Sequence, residues 1–261
     1  MEQKLLNALL ICLLATSLVG YLIANRKGFC TRLFDADFEQ DFEYMTTTAE
    51  DCTDRANGCT TNLSYWAAPI NLQFVSEDAD SAKFRSIVEI TLEAFAEIQT
   101  VSPIVVSPFP SEESNYFIYA MNEDMLRVLV GDPDDIFGFK QGSLHRMSYE
   151  SQGCSARVFF ANEDVGNGQV NYSKIEFATV FIHEAREGFE LQSCIFEEVA
   201  GSVGLLNDPE GSPSLFSEGG YTWDGTSFSY SKRTLSWIEA IYAITGGKVE
   251  NVQEYCEFAS S

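Results

Sequence analysis

Histidine is almost missing from this chain. His145 and His183 are the only two in 261 residues. A zinc site assembled from nitrogen and sulfur ligands needs more than that, and no Cys-x-x-Cys makes up the deficit. Cations are scarce too: 16 Lys and Arg against 39 Asp and Glu leave a net charge of −23. The acids are spread along the chain, as in Asp35-Ala36-Asp37-Phe38-Glu39, Glu112-Glu113 and Asp132-Pro133-Asp134-Asp135. Such a surface repels nucleic-acid phosphates, which excludes that partner, and it repels anionic lipid headgroups. There is no Gly-x-Ser-x-Gly elbow to seat a serine nucleophile. There is no phosphate-cradling loop either; Gly166-Asn167-Gly168 reads as a turn. Repeats and low-complexity segments are absent. The 13% aromatic content excludes a disordered acidic chain.

What the chain does have begins at its N-terminus. Leu5 to Ala24 is a nearly unbroken apolar run, long enough to cross a bilayer as a helix. Lys4, the apolar stretch Leu5–Leu14 and the small residues Ala15-Thr16-Ser17 also fit a cleavable export signal. Residues 1–24 are therefore a signal peptide or an N-terminal membrane anchor. Arg26, Lys27 and Arg32 follow the run and, by the positive-inside rule, would keep the rest of the chain in the cytoplasm. The cysteines argue the other way. Cys30, Cys52, Cys59, Cys154, Cys194 and Cys256 form an even, scattered set behind an export signal. That pattern points to disulfides and a periplasmic or other extracytoplasmic location. Cys52 with Cys59, closing a small loop, and Cys154 with Cys194, tying a strand to a helix, are two choices among the many connectivities that six cysteines allow. Cys256 lies in a tail that a disulfide would pin.

Residues 25–62 read as a linker or irregular cap, 63–245 as one domain and 246–261 as a C-terminal tail. Pro69 to Val75 alternates like a strand. Ser81 to Ile98 has helical spacing at Phe84, Ile87, Val88, Leu92, Phe95 and Ile98, with Ser81 as N-cap. Tyr116–Met121 is a second strand, and Asn122 caps a short helix over 123–130. Ala156–Ala161 and Glu176–His183 are two more strands, joined through an Asn167-Gly168 turn. The second is apolar on both faces and reads as central. Glu190–Leu205 is a helix with Leu191, Cys194, Ile195, Val199 and Val203 inward, and Gly204 near its end. Pro209, Gly211 and Pro213 mark a loop, and Thr234–Ile244 is the last helix. The layout predicts an α+β fold, a mostly antiparallel sheet backed by helices.

Cys194 to Asp208 has the outline of a metalloprotease helix. His-Glu-x-x-His sets two imidazoles one turn apart on one zinc, and its glutamate activates the bound water. Here Glu197-Glu198 stands in place of His-Glu, and Gly201 in place of the second His. The pattern Cys-Ile-x-Glu-Glu-x-x-x-x-x-Gly-Leu-x-Asn-Asp over Cys194–Asp208, followed by Pro213-Ser-Leu-Phe and a helix ending Ile241-Tyr242, resembles the bacterial DUF2927 family. Trp66-x-x-Pro69 and the helix after it resemble it as well. Its members are exported or lipoprotein-like proteins of unknown function. The resemblance runs over roughly residues 60–245. Gly201 departs from it, where a Gln is expected, and so does an anchor in place of a lipobox. The resemblance implies a zincin-like fold. In the longer pattern His-Glu-x-x-His-x-x-Gly-x-x-His, the positions fall on Glu197, Glu198, Gly201, Gly204 and Asn207. The general-base glutamate and the helix-ending glycine remain, and all three imidazole positions are lost.

Successive helical residues point about 100° apart, so Glu197 and Glu198 do not readily face one ion. With Asn207 or Asp208 they would form an oxygen-only set suited to calcium or magnesium. A hydrogen-bonded structural role is the competing account. His183-Glu184-x-x-Glu187 is a second metal candidate, against which stands a partly exposed loop histidine. Three functions fit these residues. The first is a non-catalytic zincin-like envelope protein, without cofactor, that binds a protein, peptide or glycan. The second is a hydrolase using Glu198 as general base with a divalent metal. The third is a structural accessory domain of an envelope complex.

Overall fold

The computed structural model describes residues 30, 33, 34, 38–46, 62–122, 124, 125, 128, 153–161, 171–206 and 221–259. The apolar run 5–24, the Cys52–Cys59 loop, His145, the Asn167-Gly168 turn, the Pro209–Pro213 loop and Ser214–Phe216 lie outside them. The elements are α1 (Phe38–Met45), β1 (Asn62–Trp66), β2 (Ile70–Val75), α2 (Ala82–Gln99), β3 (Val106–Ser107), β4 (Tyr116–Met121), β5 (Cys154–Phe160), β6 (Asn171–His183), α3 (Gly188–Ser202), β7 (Tyr221–Trp223), β8 (Phe228–Tyr230), α4 (Lys232–Thr245) and α5 (Val252–Ala259).

The fold is α+β, but its main sheet is mostly parallel. β1, β2, β3, β4 and β6 run the same way in the order β1-β6-β4-β2-β3, and β5 alone is antiparallel, paired to β6. This corrects the expectation of an antiparallel sheet. The β5–β6 pair is antiparallel as the local turn signal implies. β2 and β3 are separated by the 18-residue helix α2, and a helical crossover returns the chain in the same direction.

Thirteen-residue β6 is the spine. Ile175 pairs with Trp66 on one edge and Phe160 on the other, and Ala178 pairs with Tyr116 and Val158. β1 and β4 therefore lie end to end along one edge of β6, with β5 along the other. Leu72, Tyr116, Ile118, Ala178 and Val180 face the layer of α2, α3 and α4, and Phe95 of α2 meets the Tyr116 ring edge-on at 5.2 Å. The opposite face is aromatic: Tyr119 stacks on Phe181 and Phe117 lies beside Phe177, each pair at 5.2 Å.

Caps fix the helices. Ser81 accepts the Phe84 N–H, and Ser231 accepts the Thr234 N–H at the start of α4. Asn122 Oδ1 accepts from the N–H groups of Asp124 and Met125. Two stretches differ from their sequence reading. Residues 38–45, expected in a linker, form α1, whose Phe38, Phe42 and Met45 are buried. The expected tail holds α5, with Val252, Tyr255 and Cys256 buried. Each is too short for periodicity to announce it, and each is stable because it packs on α4 and a disulfide, Cys30–Cys256, joins the two regions. Among the described residues no helix is long and apolar enough to cross a membrane.

Candidate functional site

Helix α3 begins just after β6 ends and packs back over β6 and β5. Its sheet-facing side carries Leu191, Ile195, Val199 and Ser202, all buried. At 100° per residue Glu198 falls between Leu191 and Cys194, on the edge of that buried side. Glu197 falls in the outer stripe with Ser193 and Gly201. Both carboxylates are half-buried. Cys194 lies between them in helical angle and is disulfide-bonded to Cys154 of β5, with a Cα–Cα distance of 5.8 Å. The flank bearing Glu197, Glu198 and Gly201 is thereby held alongside β5. That pairing is one of the two singled out from the sequence.

Under Glu198 lies a buried polar network. Ser202 Oγ donates its one proton to the Val199 carbonyl at 2.8 Å, so the Tyr116 hydroxyl, 2.7 Å away, donates to Ser202. Burial pushes the Tyr116 phenol well above its ordinary range. The nearby Glu198 charge raises it further. The last carbonyls of α3 are satisfied from outside the helix: Trp66 Nε1 donates to Ser202 O at 2.9 Å and Tyr242 OH to Val203 O at 3.2 Å. Tyr242 OH accepts in turn from the Trp66 N–H at 3.3 Å. The helix closes with Leu205 N–H on Ala200 O and Gly204 N–H on Gly201 O, a Schellman arrangement. Gly204 has φ +130°, and a Cβ there would lie 2.4 Å from the Ser64 carbonyl oxygen. Beside Gly201, in contrast, nothing lies within 4 Å of a Cβ position.

His183 is not part of this site. Its partner in β4 is Met121, and its side chain belongs to the face of Phe181 and Thr179, opposite α3. Glu198 lies near Tyr116, whose partner is Ala178; His183 is five strand residues beyond Ala178, about 16 Å along β6. It is also buried, at 5% exposure, with Nδ1 accepting the Ala185 N–H at 3.0 Å. It is therefore a strand-end histidine in the packed interior, where the sequence suggested an exposed loop. Glu184 turns elsewhere and accepts from Ser76 Oγ at 3.3 Å. Asn207, Asp208, Cys52 and Cys59 lie outside the described residues.

Zinc does not fit the positions that the metalloprotease outline would use. Gly201 offers no donor, and Glu197 and Glu198 diverge by a helical step. No group of three or more His, Cys, Asp or Glu poised to hold a metal occurs among the described residues.

Sequence reasoning missed three things near α3. One is the tyrosine network, whose members come from four separate elements. Another is the β7–β8 hairpin, which packs Tyr221 and Phe228 around Phe189 and Phe196. Tyr230 of the same hairpin donates to Phe196 O at 2.7 Å, and its own N–H goes to Glu97, whose carboxyl burial raises above the ordinary range. Alternation over Tyr221–Trp223 and Phe228–Tyr230 around Asp224-Gly225 was the available signal. The third is the edge of β5: among the described residues its only strand partner is β6.

Comparison with curated proteins gives no match. The family model for proteins of unknown function DUF2927 matches residues 35–222, which include β1 to β6, α2, α3 and the whole Glu197–Glu198 flank. The chain belongs to the DUF2927 family.

Proposed function

We propose that this chain is an exported cell-envelope protein, held at the membrane by its N-terminal segment, whose zincin-like domain is a non-catalytic pseudoprotease that binds an extended peptide segment of another envelope protein. One observation carries the reading: the edge of β5 away from β6, which has no strand partner among the described residues, runs beside the half-buried Glu197–Glu198 flank of α3, and a disulfide fixes the two together. An edge strand offers alternate N–H and C=O groups to an added strand. The two carboxylates beside it favour a peptide that carries Lys or Arg. The loss of imidazole at 197, 201 and 207 supports binding over hydrolysis. The two disulfides among the described residues support a location outside the cytoplasm.

The test is a library of extended peptides, cationic and neutral, titrated against the full chain in detergent. Cationic members are expected to bind, and N-methylation at alternate residues to weaken them about tenfold or more, as lost strand hydrogen bonds would. Glu197→Gln with Glu198→Gln should narrow the gap between cationic and neutral peptides. Binding indifferent to N-methylation would sink the edge-strand mode. Stoichiometric zinc with peptide cleavage abolished by Glu198→Gln would replace the pseudoprotease with an active hydrolase.

A further inference from the structure

Arg157 sits in the middle of β5, on the face of the sheet away from α3. Side chains alternate along a strand. Cys154, Ala156 and Val158 lie on the α3 side, where Cys154 bonds to Cys194 and all three pack against the core. Arg157 pairs with Thr179 and Phe159 with Phe177, so both belong to the aromatic face. Phe159 meets Phe177 edge-on at 5.5 Å, and the Arg157 guanidinium lies over the Phe159 ring, 5.4 Å from its centroid. The ring holds the planar cation against the sheet. Arg157 is exposed, and among the described residues no carboxylate pairs with it, although acids outnumber Lys and Arg 39 to 16 in the chain.

Glu197 and Glu198 lie level with the same part of the strand. α3 starts near the end of β6 and runs back along it, which is the direction of β5. From Cys194, four helical residues advance about 6 Å to Glu198. From Cys154, two strand residues advance about 7 Å to Ala156. Tyr116, close to Glu198, is in register with Ala178 and through it with Val158. The carboxylates therefore flank Ala156–Val158 on one face, and Arg157 projects from the same stretch on the other.

A peptide added to the β5 edge sends successive side chains to opposite faces. The residue opposite Arg157 meets a cation, and its two neighbours meet the Glu197–Glu198 flank. We infer that this edge selects a segment of alternating charge: an acidic residue paired with Arg157, with Lys or Arg on either side of it. The inference rests on the reading of the β5 edge as a peptide site and narrows its ligand from a cationic peptide to a charge-alternating one. A carboxylate suits the guanidinium fork, which it meets with two parallel hydrogen bonds. A cross-strand pair of opposite charge strengthens binding about two- to fivefold. A charge on an edge strand also deters sheets from pairing with one another. That role alone would give Arg157 no preference between peptides.

Two peptides of equal length, composition and net charge are titrated against the full chain in detergent. In one, Lys and Glu alternate singly; in the other they alternate in pairs, which puts both signs on each face. The first should bind about two- to fivefold more tightly. Arg157→Gln, an exposed substitution whose unfolding midpoint should match the parent's, should erase the difference. N-methylation of the first peptide at alternate residues should weaken it against parent and variant alike. Binding that is sensitive to N-methylation but equal for the two peptides overturns the charge pattern and leaves the edge site standing. A preference that survives Arg157→Gln overturns the role of Arg157. Binding indifferent to N-methylation overturns the edge site and this inference with it.

Discussion

Gly201 and Gly204 sit three residues apart on α3 and have opposite tolerance for a side chain. Gly201 is helical, with open space where a Cβ would go. Gly201→Ala should raise stability by about 0.5–1 kcal/mol, since glycine inside a helix gives up more backbone entropy on folding. Gly204 has positive φ and touches the Ser64 backbone. Gly204→Ala should lower stability by at least about 2 kcal/mol. Urea unfolding midpoints measure both, and changes of the same sign would show the helix end to be wrongly placed. The role of Gly204 as a helix stop was visible in the sequence. The room beside Gly201 was not, because it depends on what α3 leaves uncovered. The same holds for Glu198: its spacing marks it, but the Tyr116 hydroxyl beneath it comes from a strand 82 residues earlier.

The elements that make the site are a helix and an edge strand, and each is weak alone. Among the described residues β5 is paired to a strand on one edge only, and α3 lacks a side-chain hydrogen bond at its N-cap, Glu187. Cys154–Cys194 closes a loop with a sequence separation of 40. Removing that constraint by Cys154→Ala with Cys194→Ala should cost about 2–4 kcal/mol. Amide exchange should accelerate in β5 more than in β4, which has strands on both sides. Uniform acceleration across the sheet would mean that the disulfide does not hold β5 in particular. If β5 is the peptide-binding edge, the same variant should also weaken peptide binding.

At the scale of the whole molecule, tyrosine recurs as a buried titratable group among the described residues. Tyr116, Tyr230, Tyr242 and Tyr255 tie together β4, β8, α4 and α5, and burial raises all four phenols above their ordinary range. A group whose pKa is higher in the folded state gives its full stabilisation below the unfolded value, about 10 for tyrosine. That contribution is lost as pH rises beyond it. Alkaline unfolding should therefore begin above about pH 10, with these phenolates appearing together with the loss of helical circular dichroism. Gradual ionisation of every tyrosine with the helices intact would contradict the packing described for them.

The sequence by itself determined the local elements. Alternation marks β2, β4 and β6, three-to-four spacing marks α2, α3 and α4, and Ser81 and Gly204 mark ends, because these patterns depend only on which side chains share a face. It also carried the family, through Cys194–Asp208, and it offered Cys154–Cys194 as one of the many pairings that six cysteines allow. The tertiary structure decided the rest. Strand direction was settled by pairings made after a crossover, between β6 and partners about 60 and 110 residues earlier in register. The separation of His183 from Glu198 follows from a one-residue alternation plus five residues of strand rise, neither of which is a sequence motif. The placing of α1 and α5 in the core required α4 to be there first. A short amphipathic segment has no stable fold of its own until another element buries its apolar side.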